Sequence, residues 1–186
     1  MIEYQHQWET VETFDFSSLI TQEDQTLAVK DIEEIIASGS WFKTSPKYQT
    51  QENLFYRQSE HWLKIKHSFI FSCFMYLKKE VKINNIQSWS FMTSNQTVEN
   101  RDDLWHNHQL PDERTLSGIY YLQMPIDADL NTSGTEFAFN GVDDPNRWVG
   151  PVKPFNWLIY PGKIWHRPTP PQSSQNRFII AADMIF

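Results

Sequence analysis

The chain has 186 residues, 40% apolar and 21% charged, a composition that suits one soluble globular domain able to bury its own core without disulfide or structural-metal staples. Its formal charge of −7 and pI near 5.3 argue against a surface built to neutralise nucleic-acid phosphates or anionic lipid. The single cysteine, Cys73, excludes an intramolecular disulfide, and its setting in FIFSCFMYL reads as a small buried hydrophobe rather than a nucleophile.

The N-terminal MIEYQHQWETVETF has neither the positive n-region nor the apolar core of a secretion signal, and no apolar run approaches the roughly 18 residues of a membrane span. A cytoplasmic protein with no membrane or nucleic-acid partner is expected. Residues 2–16 alternate polar with apolar or β-favouring side chains and read as one or two short strands, with His6 on the surface. Thr21 with Asp24 makes a cap for a helix carrying Leu27, Ile32, Ile35 and Ile36, which Gly39 ends. The stretch WFKTSPKYQTQENLFYR, 41–57, is broken by Pro46 and reads as a loop or extended segment laid over the domain, anchored by Trp41, Phe42, Tyr48, Leu54 and Phe55. The clearest helix follows over 60–81, where Trp62, Ile65, Phe69, Cys73, Tyr76 and Leu77 recur every three or four positions and form a face for a sheet. His61 and His67, six apart, do not share a helix face and read as solvated or capping residues.

From Ile83 onward the period changes to two. IQSWSFMTS, TLSGIYYLQM, TEFAF, FNWLIY and FIIAADMIF are strand-like and separated by Pro, Gly, Asn and Asp. The expected fold is mainly β with flanking helices: a single domain over 1–186, in which N-terminal α-helices and edge strands of 1–82 buttress a jelly-roll core over 83–186. Eight Trp and 15% aromatic residues suit such a core or a deep pocket.

The chemistry concentrates in WHNHQLPDERTLSGIYYLQM, 105–124. In an extended chain residues i and i+2 face the same way, so His106 and His108 can aim their imidazoles at one point while Trp105 and Asn107 face away. A His-x-His pair alone is weak evidence for a metal. It gains weight from His166, which follows the turn signal Pro161-Gly162 and supplies a third imidazole, and from Arg177, whose guanidinium can hold a carboxylate in a bidentate fork. For Arg177 the bland alternative is a strand-edge charge facing solvent.

In IYYL at 119–122, SGTEFAF at 133–139, His166 and Arg177, taken with the His-x-His pair, the region 85–186 resembles the Fe(II)- and 2-oxoglutarate-dependent oxygenases, especially their prolyl-hydroxylase-like branch and a related group of unassigned substrate. The segment SPKYQTQENLF before a long helix also resembles that group. The resemblance implies a double-stranded β-helix, with Fe(II) held by His106, His108 and His166. It further implies 2-oxoglutarate gripped by Arg177 and the Tyr121 hydroxyl, and hydroxylation of a substrate by dioxygen with release of succinate and CO2. Trp105, Trp157 and Trp165 are candidates to line the cavity, two of the three being expected in ordinary core. Arg167 reads as a rim charge or as a contact for an acidic substrate group. Loops 39–57 and 126–156, the latter with Asn140, Asp143, Asp144 and Trp148, are candidates for specificity.

One departure stands out: the family has a carboxylate where this chain has His108. Either all three histidines bind the metal, or a carboxylate from Asp112, Glu113 or Glu136 replaces one of them, or the site is vestigial. Two other readings compete. A cupin-type metalloenzyme would use Glu113 as a fourth ligand and leave Arg177 without a cosubstrate. A non-catalytic jelly-roll binding module would scatter the histidines over different faces. The sequence leaves the substrate, the native metal and the oligomeric state open.

Overall fold

The computed structural model describes residues 10–44, 47–93, 105–109, 114–169 and 173–186, with the side chains of 41–48 outside the description. His6, Asp112, Glu113 and most of the strand expected over 2–16 therefore lie outside the described residues, as do the side chains of Trp41, Phe42 and Tyr48. Among the described residues the chain is mainly β, with antiparallel sheets and two α-helices, an arrangement consistent with a jelly roll. No described helix is long and apolar enough to cross a membrane.

The first strand, β1 (Glu12–Asp15), leads into α1 (Gln22–Ala37). Thr21 caps that helix through a reciprocal box: its hydroxyl accepts from the Asp24 N–H, and the Asp24 carboxylate accepts from the Thr21 N–H. Gly39, at φ +80°, takes the left-handed conformation just past the helix end. The segment read as a loop or extended chain is extended over its first part, a hairpin of β2 (Trp41–Thr44) and β3 (Lys47–Thr50), followed by a 3₁₀ turn at Leu54–Tyr56. The hairpin exists because β3 pairs with β4 (Asn85–Thr93), a partner about forty residues away that local pattern does not reveal.

Helix α2 (Glu60–Leu77) ends with its last apolar residue, one turn short of the expected span 60–81, where Lys78 adopts a left-handed conformation at φ 53°. His61 is not solvated. It is 8% exposed, and its Nε2 meets Asp31 Oδ2 at 3.0 Å, tying α2 to α1; His67 is exposed as expected.

The remaining strands are β5 (Thr115–Gln123), β6 (Thr135–Ala138), β7 (Trp148–Val149), β8 (Asn156–Pro161), β9 (Trp165–Pro168) and β10 (Arg177–Ile185). They build a seven-stranded sheet in the order β1-β8-β5-β10-β4-β3-β2 and a three-stranded sheet in the order β7-β6-β9. Alternation along each strand divides the core in two. On β10, Phe178, Ile180, Ala182 and Met184 face α1 and α2, packing with Phe69, Trp62 and Ile32. Ile179 and Ala181 face the other way, into a second cluster with Tyr121, Tyr160 and, from the small sheet, Phe137. The helix-side layer is tight: a Cβ added at Gly118 on β5 would lie 2.6 Å from the Phe69 ring. Cys73 is buried in that layer, where desolvation pushes its thiol well above the ordinary value.

Candidate metal centre between the sheets

The candidate site lies on the face of the large sheet turned away from the helices. His106 sits in a short bridge rather than a full strand, exchanging backbone hydrogen bonds with His166 on β9 (3.1 and 3.0 Å), and the His108 N–H donates to Gly162 O at 2.7 Å. These bonds pin the His-x-His segment to the Pro161-Gly162 turn and so bring sequence-distant imidazoles together. One ring nitrogen from each of His106, His108 and His166 lies within 4.8 Å of the other two. The ring centroids are 4.2 Å apart for His106 and His166, 5.1 Å for His108 and His166, and 5.3 Å for His106 and His108. Three imidazoles converging in this way form a donor set suited to a divalent transition metal.

Their outer nitrogens have different partners. His166 Nδ1 is 3.0 Å from Ile164 O, which fixes the proton on Nδ1, and Nε2 then accepts from the Tyr160 hydroxyl at 3.0 Å. Burial, with Asp183 and Tyr121 nearby, drives the Tyr160 hydroxyl well above its ordinary pKa, so it stays protonated and able to donate. His108 Nδ1 is 2.7 Å from Asp183 Oδ1, and the Ser117 hydroxyl donates to the same carboxylate oxygen at 2.7 Å. The Trp89 ring lies 5.6 Å from that of His108.

Arg177, at the start of β10, is 1% exposed, which excludes the strand-edge alternative. Its Nη1 donates to Ser133 O and Thr169 O (2.6 and 2.7 Å) and its Nε to Thr93 Oγ1 (3.1 Å), but its buried Nη2 has no partner among the described residues. No carboxylate of the described residues pairs with it. Burial lowers its pKa to about 10, only partly offset by Tyr121. The Tyr121 hydroxyl, 3.1 Å from Thr135 Oγ1, is also held protonated by burial. Gly134 lets the chain pass close by: a Cβ there would meet Gly150 O at 2.1 Å and the Tyr121 hydroxyl at 3.4 Å.

Several sequence expectations need correction. Arg167 is not a rim charge: it is 7% exposed, its Nε donates to Glu136 Oε2 at 2.7 Å, and its guanidinium stacks 4.5 Å from the Trp105 ring. Glu136 is engaged there and is not part of the convergent donor set. Trp157, by contrast, agrees with the expectation that two of the three tryptophans are core: it faces the helices, donating to Ser68 Oγ at 2.8 Å with its ring 4.9 Å from Phe69. Asp144 is a loop staple that accepts from Asn140 and from the Asn146 N–H. Sequence reasoning missed Asp183, Ser117 and Tyr160. The available signal was a lone carboxylate inside the apolar run FIIAADMIF, at a position of inward parity with Arg177.

No protein-family model matches the chain, and no curated protein matches it in sequence. In three dimensions its neighbours are Fe(II)- and 2-oxoglutarate-dependent oxygenases, whose fold it shares. A prolyl-4-hydroxylase from Pseudomonas putida aligns with a TM-score of 0.64 and 11% identity, covering 95% of this chain and 92% of that one. The α-ketoglutarate-dependent carbocyclase SnoK of nogalamycin biosynthesis aligns with a TM-score of 0.68 and 10% identity, over 95% and 79% of the two chains. A viral collagen prolyl hydroxylase from Paramecium bursaria Chlorella virus-1, solved as a 2-oxoglutarate complex, aligns with a TM-score of 0.57 and 16% identity, covering 94% of each. At these identities the likeness establishes the fold.

Proposed function

We propose that the chain is a non-haem iron, 2-oxoglutarate-dependent dioxygenase that hydroxylates an unidentified substrate with release of succinate and CO2. In this reading residues 1–186 form one double-stranded β-helix domain with a helical buttress, acting in the cytoplasm. His106, His108 and His166 hold Fe(II), and Arg177 and Tyr121 hold 2-oxoglutarate. The observation that carries the reading is the Arg177 guanidinium, buried without a carboxylate and with Nη2 unpartnered among the described residues, on the strand parity of Ile179 and Ala181, which face the space between the sheets. A buried cation of this kind is costly unless a ligand anion completes it. A dicarboxylate cosubstrate supplies that anion.

The donor chemistry fits the metal as well: three imidazoles suit Fe(II), although a carboxylate in place of one would offset more of its charge. When bound, the iron and cosubstrate together supply the oxidation of an unactivated C–H bond by dioxygen. The protein's own contribution is positional. Arg177 and Tyr121 donate hydrogen bonds to the far carboxylate and fix its direction, while Thr135 keeps the Tyr121 hydroxyl turned inward. Ile164 O and Asp183 hold the Nδ1 protons of His166 and His108, which fixes the two rings and leaves each Nε2 as the acceptor nitrogen. Phe137, Ile179, Leu158 and Phe91 close the space between the sheets against water.

The convergence of the histidines also removes the arrangement a non-catalytic module would predict, with those side chains on different faces. Adding 2-oxoglutarate to metal-loaded protein should raise the melting temperature, since a ligand at 100 times its Kd stabilises by about 2.7 kcal/mol. R177A should lose the response. A wild-type protein that shows none at saturating cosubstrate would instead favour the cupin-type reading.

A further inference from the structure

Asp183 is an unusual residue for its place. It lies on β10 between Ala182 and Met184, is 4% exposed, and faces inward in a strand whose nine residues are all buried. A carboxylate taken out of water in this way costs several kcal/mol unless its lone pairs are met. Here they are met by the Ser117 hydroxyl on Oδ1 (2.7 Å), the Gln87 amide on Oδ2 (3.4 Å) and His108 Nδ1 on Oδ1 (2.7 Å). Among the described residues no Lys or Arg pairs with it, so its charge is directed at the imidazole.

We propose that Asp183 is the positioning residue of the metal site, returning from behind His108 the negative charge that a carboxylate ligand would have placed on the metal itself. The inference rests on the reading of His106, His108 and His166 as metal ligands. An ionised carboxylate only accepts, so the short contact places the His108 proton on Nδ1 and leaves Nε2 with a lone pair for the metal. The bond holds the ring in one orientation, and the adjacent charge makes the imidazole a stronger donor. Ser117 locks the carboxylate in turn. His108 and Asp183 then act together as one anionic ligand of nearly the charge the site would otherwise lack. Asp183 stands on the same strand face as Arg177, six residues away, so β10 carries an anion toward the metal and a cation toward the cosubstrate, about 20 Å apart along the strand.

The test compares Co(II) affinity, measured by competition with a chelator, and the visible ligand-field spectrum of the Co(II)-loaded protein for wild type, H108A, D183N and S117A. Asp183→Asn keeps the shape and an acceptor oxygen but removes the charge. It should weaken Co(II) binding roughly 10- to 100-fold and shift the spectrum. Ser117→Ala, which leaves the charge in place, should weaken binding less and in the same direction, and it serves as the probe if the Asn variant does not fold. If wild type and H108A bind Co(II) equally poorly, the metal-site reading falls and the proposal with it. If H108A loses Co(II) while D183N and S117A bind as tightly as wild type with unchanged spectra, the metal site stands and the role of Asp183 is overturned.

Discussion

The imidazoles of His108 and His166 are aimed by their surroundings, and those surroundings are separable by mutation. His166 Nε2 is occupied by the Tyr160 hydroxyl, a bond worth about 1 kcal/mol net that a metal must displace. Tyr160→Phe should therefore tighten metal binding several-fold without moving the backbone; unchanged or weaker binding in a chelator titration would show that the hydroxyl does not compete. The three converging histidines and Arg177 could be picked out from the sequence because residue type, order and spacing all pointed the same way. Asp183 left only the signal of a lone carboxylate in an apolar run; its pairing with His108, 75 residues earlier, was not legible, since only the fold brings the two together. The same holds for Glu136, which looked like a spare carboxylate until β6 paired with β9 and set it against Arg167.

At the level of elements, the helix ends were legible because capping is local. Thr21 and Asp24 are three residues apart and form the reciprocal box their types suggest. Burial alone would raise the Asp24 carboxyl, but hydrogen bonds from Thr21 and Lys64 more than offset it and hold the group below its ordinary 3.8. A carboxyl depressed on folding contributes stability above the unfolded value, and that contribution is lost as pH falls through the folded one. Asp24→Asn should accordingly be less stable than wild type in urea at pH 7, with the gap closing as the pH drops below 3.8; a gap independent of pH would argue against an ionised cap. The β2–β3 hairpin was not legible, because its strand character comes from pairing with β4 rather than from its own alternation. The packing of α2 on the sheet has its own test. Gly118→Ala drives a methyl to within 2.6 Å of the Phe69 ring and should cost about 1–3 kcal/mol in a denaturation midpoint, whereas a neutral result would mean a looser helix–sheet layer.

Over the whole molecule, the two cores have different tasks. The layer between helices and large sheet is built on apolar side chains, with the buried Gln25, Ser68 and Ser72 each hydrogen-bonded within it, and fixes the sheet's shape. The layer between the sheets mixes aromatic closure with Tyr121, Tyr160, Arg177 and Asp183, polar groups whose burial makes sense as preparation for a ligand. Period-two patterning in the C-terminal half was enough to read a β sandwich from the sequence; which face of each strand would carry the polar groups required the register. The central claim is that this inner layer holds a metal and a dicarboxylate together. Anaerobic titration calorimetry of 2-oxoglutarate into Fe(II)-loaded and metal-free protein, repeated with R177A, tests it most directly. The account predicts saturable one-to-one binding that strengthens at least tenfold with Fe(II) and disappears in R177A. Binding that ignores either the metal or Arg177, or no binding at all, would contradict it.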